Sequence, residues 1–338
     1  MDIGEIARRS GVARSTVSYA ISGKRPVSQQ TRQRIQAVID ELGYRPNAVA
    51  KALKEGRTRT IALVIPPANT RLTDHQLTFV ASVVNTAAKA DLDVLLSPSG
   101  DEHDRSFERV ITGRRVDGAI LMEIRLTDHR VTRLQQTGLP FVTIGRTNTP
   151  DTTTWVDIDY DTLISRCVHH LADLGHQHIA LIDRSPHLAT TGYGPSHRAH
   201  TGFTRTTTQR GITPIHTHTH DNPNSGHTTT TQLLHTHPHL TAITTINEAA
   251  LPGIYHAITQ TGRTIGTHIS ITGVAAQHWA ENLHPPLTAA DAPADELATN
   301  AVNLLINRIT NPTTPHQHLL LTPPISLRAT TGPPHPFP

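Results

Sequence analysis

The sequence predicts a two-part protein of the α/β class: a small all-α head, then a larger body built on doubly wound parallel sheet. Three observations carry that reading. The first 45 residues hold three short apolar helix faces separated by glycine turns. Beyond Thr60, apolar runs of strand length alternate with amphipathic segments of helix length. The two regions also carry net charge of opposite sign. A chain of 338 residues is long enough for two or three domains.

The head divides at its glycines. Ile3, Ile6 and Ala7 form one short apolar face, ended by Ser10-Gly11. Val17, Ala20 and Ile21 form a second. Ser28 is a good N-cap for a longer third helix, with Ile35, Val38, Ile39 and Leu42 facing inward and Gly43 ending it before Pro46. Three short helices with a tight turn before the second make a helix-turn-helix, whose second helix enters the DNA major groove. That helix, RSTVSYAIS, has little to bury and many hydroxyls. Small hydroxyls donate to phosphate oxygens at close range, and Arg14 at the helix start can make a bidentate contact to a guanine edge. Charge agrees. Residues 1–60 carry 12 Lys/Arg against 5 Asp/Glu, a net +7, while the other 18 Lys/Arg and 22 Asp/Glu leave −4. A basic head on a mildly acidic body is the footprint of a polyanion-binding module.

In the body, Ile61–Ile65, Val94–Leu96, Ala119–Leu121, Phe141–Ile144 and Ile179–Ile182 read as buried parallel strands. Amphipathic segments near 76–90, 104–114, 128–138 and 161–174 lie between them. Open sheets of this kind bind ligands beyond the carboxyl ends of their strands.

Other classes find less support. The chain has no P-loop, no G-x-S-x-G elbow and no H-E-x-x-H helix, so neither an enzyme nor a cofactor is expected. One cysteine, Cys167, excludes an intrachain disulfide. No apolar run is long enough to cross a bilayer, and MDIGEIARRSGV lacks the pattern of a signal peptide, so a cytoplasmic setting is expected. A solute-binding protein would share the body but need a secretion signal and no basic head. Two segments alternate His and Thr: IHTHTH (215–220) and HTHPH (235–239). On a strand, His216, His218 and His220 would share a face and could ligate Zn²⁺ or Ni²⁺. Because His and Thr abound throughout the second half and no Cys or acid joins these segments at ligand spacing, compositional bias is the expected reading and no metal site is assigned. A metal-responsive regulator stays as an alternative.

The stretches IGEIARRSGVARSTVSYAISG, VSQQTRQRI and ELGYRPNAVAKALKEGRTRTIALVIP, over residues 3–66, resemble the head of the LacI/GalR (lactose-repressor) family of transcriptional regulators. GRRVDGAIL, TGLPFVTIGR and HLADLGHQHIALI resemble that family's effector body, two lobes sharing a periplasmic-binding-protein-like fold. The resemblance implies a homodimer, by default a repressor, that reads a pseudo-palindromic double-stranded DNA operator. It also implies a small-molecule effector in the inter-lobe cleft, in many relatives a sugar. Carried onto this chain, Arg14, Ser15 and Tyr19 take the base-reading positions, and Thr16, Ser18, Ser22 and Thr31 the backbone-contacting ones. PNAVAKALK (46–54) matches the hinge helix, too short to be stable alone and expected to form in pairs on DNA. There Leu53 matches the minor-groove wedge, Ala50 the small residue of close approach and Asn47 the polar contact. Two departures matter: Ala13 replaces a usual capping Ser, and Tyr19 stands where Arg is frequent, so no relative's operator can be copied.

The implied division is a head over 1–45, hinge and linker over 46–59, body over 60–330 and tail over 331–338. Lobe one is expected at about 60–158 and 285–312, and lobe two at about 159–284 and 313–330, with three crossings. Candidate effector residues are Glu123, Arg146, Arg198, Glu248 and Trp279. Where the family has Asn-Asp-Glu this chain has Asn247-Glu248-Ala249, and where it has Gly-Phe-Asp-Asp this chain has Gly273-Val274-Ala275-Ala276. Losing carboxylates that grip sugar hydroxyls argues against a typical sugar effector, and leaves a ligand-independent body as a further alternative.

Overall fold

A computed structural model describes residues 3–22, 25–44, 56–67, 72–99 and 104–335. The chain divides into two compact units, one ending at Thr58 and the other beginning at Arg59.

The first unit holds α1 (Ile3–Ser10), α2 (Arg14–Ser22) and α3 (Gln29–Leu42). Ile6, Ala7, Val17 and Ile35 form its core, with Ile3, Val12, Ala20, Val38, Ile39, Leu42 and Tyr44 packed around them. Gly11, at φ 62°, reverses the chain between α1 and α2 in a conformation that costs glycine nothing. Arg9 joins α1 to α3 through Glu41 at 2.8 Å. Ile21, expected inside, is 37% exposed. The seam needs only one narrow stripe on a nine-residue helix; Val17 and Ala20 fill it, and Ile21 falls at its rim. Caps bound α3: Ser28 Oγ accepts from the Thr31 N–H at 3.3 Å, and Gly43 closes the helix in the left-handed region. α2 starts without such help, since the Thr16 and Val17 N–H groups both donate to the Ala13 carbonyl at 2.9 and 3.2 Å and Ala13 has no capping side chain. Ala13→Ser is therefore expected to stabilise the head by about 1 kcal/mol, read as a higher midpoint for its unfolding.

The body contains two six-stranded sheets. The first runs in the order β2 (Asp93–Pro98), β1 (Thr60–Ile65), β3 (Gly118–Leu121), β4 (Phe141–Ile144), β5 (Trp155–Ile158), β11 (His318–Leu321), all parallel. Packed around it are α4 (Asp74–Lys89), α5 (Asp104–Thr112), α6 (His129–Thr137) and α13 (Ala294–Thr310). The second runs β7 (Thr213–His218), β6 (His178–Asp183), β8 (Ala242–Thr245), β9 (Ser270–Ala275), β10 (Thr288–Asp291), β12 (Ile325–Ser326), with only β12 antiparallel. Its helices are α7 (Tyr160–Asp173), α8 (Pro186–Thr190), α9 (Gly194–Arg210), α10 (Pro223–Thr236), α11 (Leu251–Gln260) and α12 (Gln277–Asn282). α10 and α11 cross so closely that a Cβ on Gly226 or Gly253 would collide with the opposing backbone.

The apolar runs named above form strands, but β2 is an edge strand rather than a buried one: Leu96 is 47% exposed. The lobe boundaries need a larger correction. Residues 285–291 were expected in lobe one, yet β10 pairs with β9 in the second sheet; residues 313–321 were expected in lobe two, yet β11 pairs with β5 in the first. The crossings therefore fall between β5 and α7, between β10 and α13, and between β11 and β12. TAAD and HLLL are too short to advertise a partner, and sheet pairing decides where they go. The expected tail is also shorter, because the Gly332 carbonyl accepts from Ser270 Oγ at 3.1 Å and His170 Nε2 lies 3.0 Å from Thr331 Oγ1, tying both residues to lobe two.

Candidate DNA-reading face and effector cleft

Among the described side chains of α2, only Val17 is fully buried. Arg14 and Ser15 are exposed, and Thr16, Ser18 and Tyr19 half-buried. The Arg14 guanidinium rests where a side chain on Gly4 would otherwise sit, so Gly4 of α1, which the sequence reading missed, makes room for it. The Arg25 guanidinium covers the Tyr19 ring, 5.1 Å from its centroid. Thr31 sits at the start of α3, where its hydroxyl accepts from Ser28 Oγ at 2.8 Å. The side chain of Ser22 and the hinge positions Asn47, Ala50 and Leu53 lie outside the described residues.

In the body, strand order sets the position of the second candidate site. Each sheet has a switch point, where successive connections leave in opposite directions: between β1 and β3 in the first, between β6 and β8 in the second. Ligands favour the crevice beyond the carboxyl ends of strands at such points. Pro66 and Glu123 follow β1 and β3; Arg184 and Asn247 follow β6 and β8. All four line the cleft between the lobes.

Glu123 and Arg184 meet there. Arg184 bonds Glu123 at 3.3 Å, Asp221 at 2.7 Å and the Tyr193 hydroxyl at 3.1 Å, and its guanidinium lies 5.2 Å from the Tyr193 ring centroid. Glu123 has φ 52°, a left-handed conformation unfavourable for a residue with a Cβ. Two contacts hold it: Arg130 donates to its carbonyl at 3.0 Å, and Gln76 to its carboxylate at 2.6 Å. Arg130 is in turn fixed by a buried ion pair with Asp128 at 2.7 Å.

Arg146 and Arg198 lie at a different part of the lobe junction. Arg146 donates to Asp157 at 3.0 Å, and Arg198 donates to the Arg146 carbonyl at 2.7 Å. Burial pushes the Asp157 carboxyl up to about 6, although Arg198 and Arg146 both pull it down. Asp159 instead caps α7, accepting from the Thr162 N–H at 3.3 Å. Asp157 and Asp159 are thus engaged by an arginine and by a helix start respectively.

Glu248 is 8% exposed and accepts from the N–H groups of Ala276, at 2.7 Å, and His75, at 3.3 Å. Burial raises its carboxyl above the usual range. Trp279 donates from its indole to Asp74. These two contacts join α12 and the segment after β8 to α4, so they tie the lobes together. Burial, with Arg184 and His278 nearby, pushes the His75 imidazole down to about 4, so it stands neutral in the cleft. Among the buried polar atoms without a hydrogen-bond partner, His75 Nδ1 and Asn247 Oδ1 belong to residues lining the cleft, whereas Arg198 Nη1 lies 3.9 Å from the Asp157 carboxylate. The structure therefore brings Glu123 and Glu248 into the cleft, puts Arg146 and Arg198 beside Asp157, and uses Trp279 as an inter-lobe tie. Sequence reasoning missed Arg184, Tyr193, Asp221 and His75. Arg184 had a usable signal, as the first residue past β6.

One sequence expectation about metals is overturned here: an acid does join the first His-Thr segment, because Asp183 at the end of β6 lies beside His216 and His218 of β7.

Comparison with known proteins agrees with this architecture. The profile described as "Bacterial regulatory proteins, lacI family" matches residues 2–47, and that of a "Periplasmic binding protein-like domain" matches residues 168–331. The ribose operon repressor of Escherichia coli (strain K12) is 30% identical over 342 residues, covering 94% of this chain and 96% of that protein. The transcriptional regulator CelR–cellobiose complex superposes with a TM-score of 0.73 at 26% identity, over 98% of this chain and 99% of that one. The Lac repressor dimer bound to operator and the anti-inducer ONPF gives 0.86 at 22% identity, over the same shares, and bears on the fold alone. Among the described residues no helix is long and apolar enough to cross a membrane. A basic helix-turn-helix head, a two-sheet body with a polar cleft at both switch points, and full-length relatedness to a known repressor together show that the chain belongs to the lacI family of DNA-binding transcriptional regulators.

Proposed function

We propose that this regulator is a cytoplasmic homodimeric repressor that reads a pseudo-palindromic operator and answers to a small polyhydroxylated effector, a sugar or close relative, in the inter-lobe cleft. The observation carrying the effector reading is a pair of buried, unpartnered polar atoms in the cleft, His75 Nδ1 and Asn247 Oδ1, near the mutually bonded Arg184, Glu123 and Asp221. Unpaired buried polar atoms are costly, and a ligand rich in hydroxyls can both donate and accept. The carboxylates of Glu123 and Asp221 offset the loss of acids at Ala275 and Ala276. Two relatives point the same way, one a ribose operon repressor and one solved with cellobiose.

Effector binding is expected to exchange inter-lobe contacts such as Arg184–Glu123 and Trp279–Asp74 for contacts to ligand, and so to change the angle between lobes. Operator binding selects the lobe arrangement that lets two hinge segments pair, so the two ligands bias one equilibrium. For the dimer, Leu77 and Val84 on α4 and Leu96 on β2 are large apolar side chains left 42–50% exposed on lobe one. Sedimentation at micromolar concentration is the direct check.

On the head, Arg14, Ser15 and Tyr19 read bases, and Thr16, Ser18, Ser22 and Thr31 hold the phosphates; Leu53 wedges the minor groove, with Ala50 and Asn47 supporting it. Selection of bound sequences from random DNA, with and without a panel of mono- and disaccharides, tests the whole reading. A symmetric half-site whose affinity shifts with one sugar is the expected result. A site unmoved by every ligand would favour the ligand-independent body, and no symmetric site at all would overturn the operator reading. Arg14→Ala should cost about 1–3 kcal/mol and relax preference at one symmetric pair of base positions. Leu53→Ala should lower operator affinity on the order of a hundredfold, since two buried leucines per dimer are lost, while leaving most non-specific binding intact. Equal losses on operator and random duplex at matched salt would remove Leu53 from the wedge position.

A further inference from the structure

We propose that lobe two carries a site for a divalent transition metal of the zinc type, formed by Asp183, His216 and His218. Neither histidine is needed to explain DNA reading or the cleft. β7 is the edge strand of its sheet, and parallel pairing sets Leu181 beside His216 and Asp183 beside His218. Side chains two apart on a strand share a face, so both imidazoles project to the side on which Asp183 ends β6. One ligand atom from each residue lies within 4.8 Å of the others. His216 Nε2 is 3.4 Å and His218 Nδ1 3.9 Å from Asp183 Oδ2.

The surroundings prepare the carboxylate for one direction only. Asp183 Oδ1 is occupied, accepting from the Arg184 N–H at 2.7 Å and from Ser196 Oγ at 2.9 Å. Oδ2 is thereby left to face the imidazoles. His216 Nε2 is buried and makes no hydrogen bond outside the cluster, so its contact with Asp183 is the one a metal would replace. The His200 ring stacks on His216 at 4.3 Å and fixes its plane. His218 Nδ1 now lies 3.1 Å from the Arg184 carbonyl and would give up that contact to bind metal through this atom. Two imidazoles and one carboxylate, with the carboxylate fixed by a backbone N–H and a hydroxyl, suit Zn²⁺ and leave a fourth position for water.

The place also matters. Two backbone groups of Arg184, its N–H and its carbonyl, contact this cluster, and the Arg184 side chain is the centre of the inter-lobe cleft. An occupied site would stiffen the segment that presents Arg184.

The test uses full-length protein stripped with a chelator and titrated with Zn²⁺ against a chromophoric competitor, alongside Co²⁺ absorption. One tight equivalent per chain is expected above the weaker background from the other histidines. A His216→Gln/His218→Gln variant should weaken it by more than about a hundredfold, while His235→Gln/His237→Gln in the other His-Thr segment leaves it unchanged. Zn²⁺ should also raise the melting temperature of the parent protein and not of the first variant, whose circular dichroism verifies folding. If that variant fails to fold, loss of the tight equivalent in Asp183→Asn decides in its place. Absence of any equivalent tighter than background, retention of it in the cluster variants, or equal loss in the His235/His237 variant would each overturn the site.

Discussion

Replacing Arg184 with Ala is expected to lower the stability of the body by about 3 kcal/mol and to abolish the response of operator binding to any cleft ligand. Its side chain is 12% exposed, and its two carboxylate partners are 16% and 21% exposed, so all three charges stand largely out of water. Removing one cation strands two partly buried anions, and breaking such a pair costs more than forming it contributes. Gln76 still donates to Glu123 and the Ser185 N–H to Asp221, which keeps the loss near the lower end of the usual range. The same change cuts the direct tie between the two switch points. Arg184→Lys should recover part of the stability but little of the ligand response, because one ammonium cannot reach Glu123, Asp221 and Tyr193 together. Urea unfolding and operator titrations with and without ligand are the measurements. An unchanged unfolding midpoint for Arg184→Ala would show that the network bears no load.

The second large effect is a dependence on pH that two residues conceal from each other. His75 titrates near 4 in the folded protein, below its ordinary 6.5. Between those values the unfolded chain binds more protons, so the stability His75 contributes is complete above about 6.5 and lost as pH falls toward 4. Its size is roughly 2–3 kcal/mol after allowance for partial exposure. Asp157 has the opposite sign. Its folded value is raised from 3.8 to about 6, so the folded chain binds more protons in that window and its contribution falls as pH rises. In the parent protein the two slopes oppose. His75→Gln is expected to leave stability falling between pH 4 and 6, and Asp157→Asn to leave it rising, both followed by denaturant unfolding at fixed pH steps. Parallel profiles in the two variants would contradict this assignment of charge states.

The contrast between these residues and the head shows what was legible beforehand. Three helices, their glycine turns and the Ser28 cap are local features: each depends on residues within four or five positions, and the periodicity of Ile35, Val38, Ile39 and Leu42 displays them directly. The first strands of the body are apolar enough to be read the same way. TPIHTH and TAAD are not, HLLL is too short to advertise a partner, and the places of all three come from pairing with strands far along the chain. For that reason the lobe boundaries moved while the fold class stood.

By itself, then, the sequence determined the class of each half, the helix-turn-helix and the basic charge of the head, because these rest on short-range spacing and charge, and its motifs carried the resemblance to the family. Only the tertiary structure decided that Arg184 meets Glu123 across the cleft, and that Asp183, rather than a neighbour in sequence, stands beside His216 and His218. Those meetings join residues 61 apart in one case and 33 in the other. Strand order brings them together, and strand order is settled by how buried surfaces pack rather than by any local pattern.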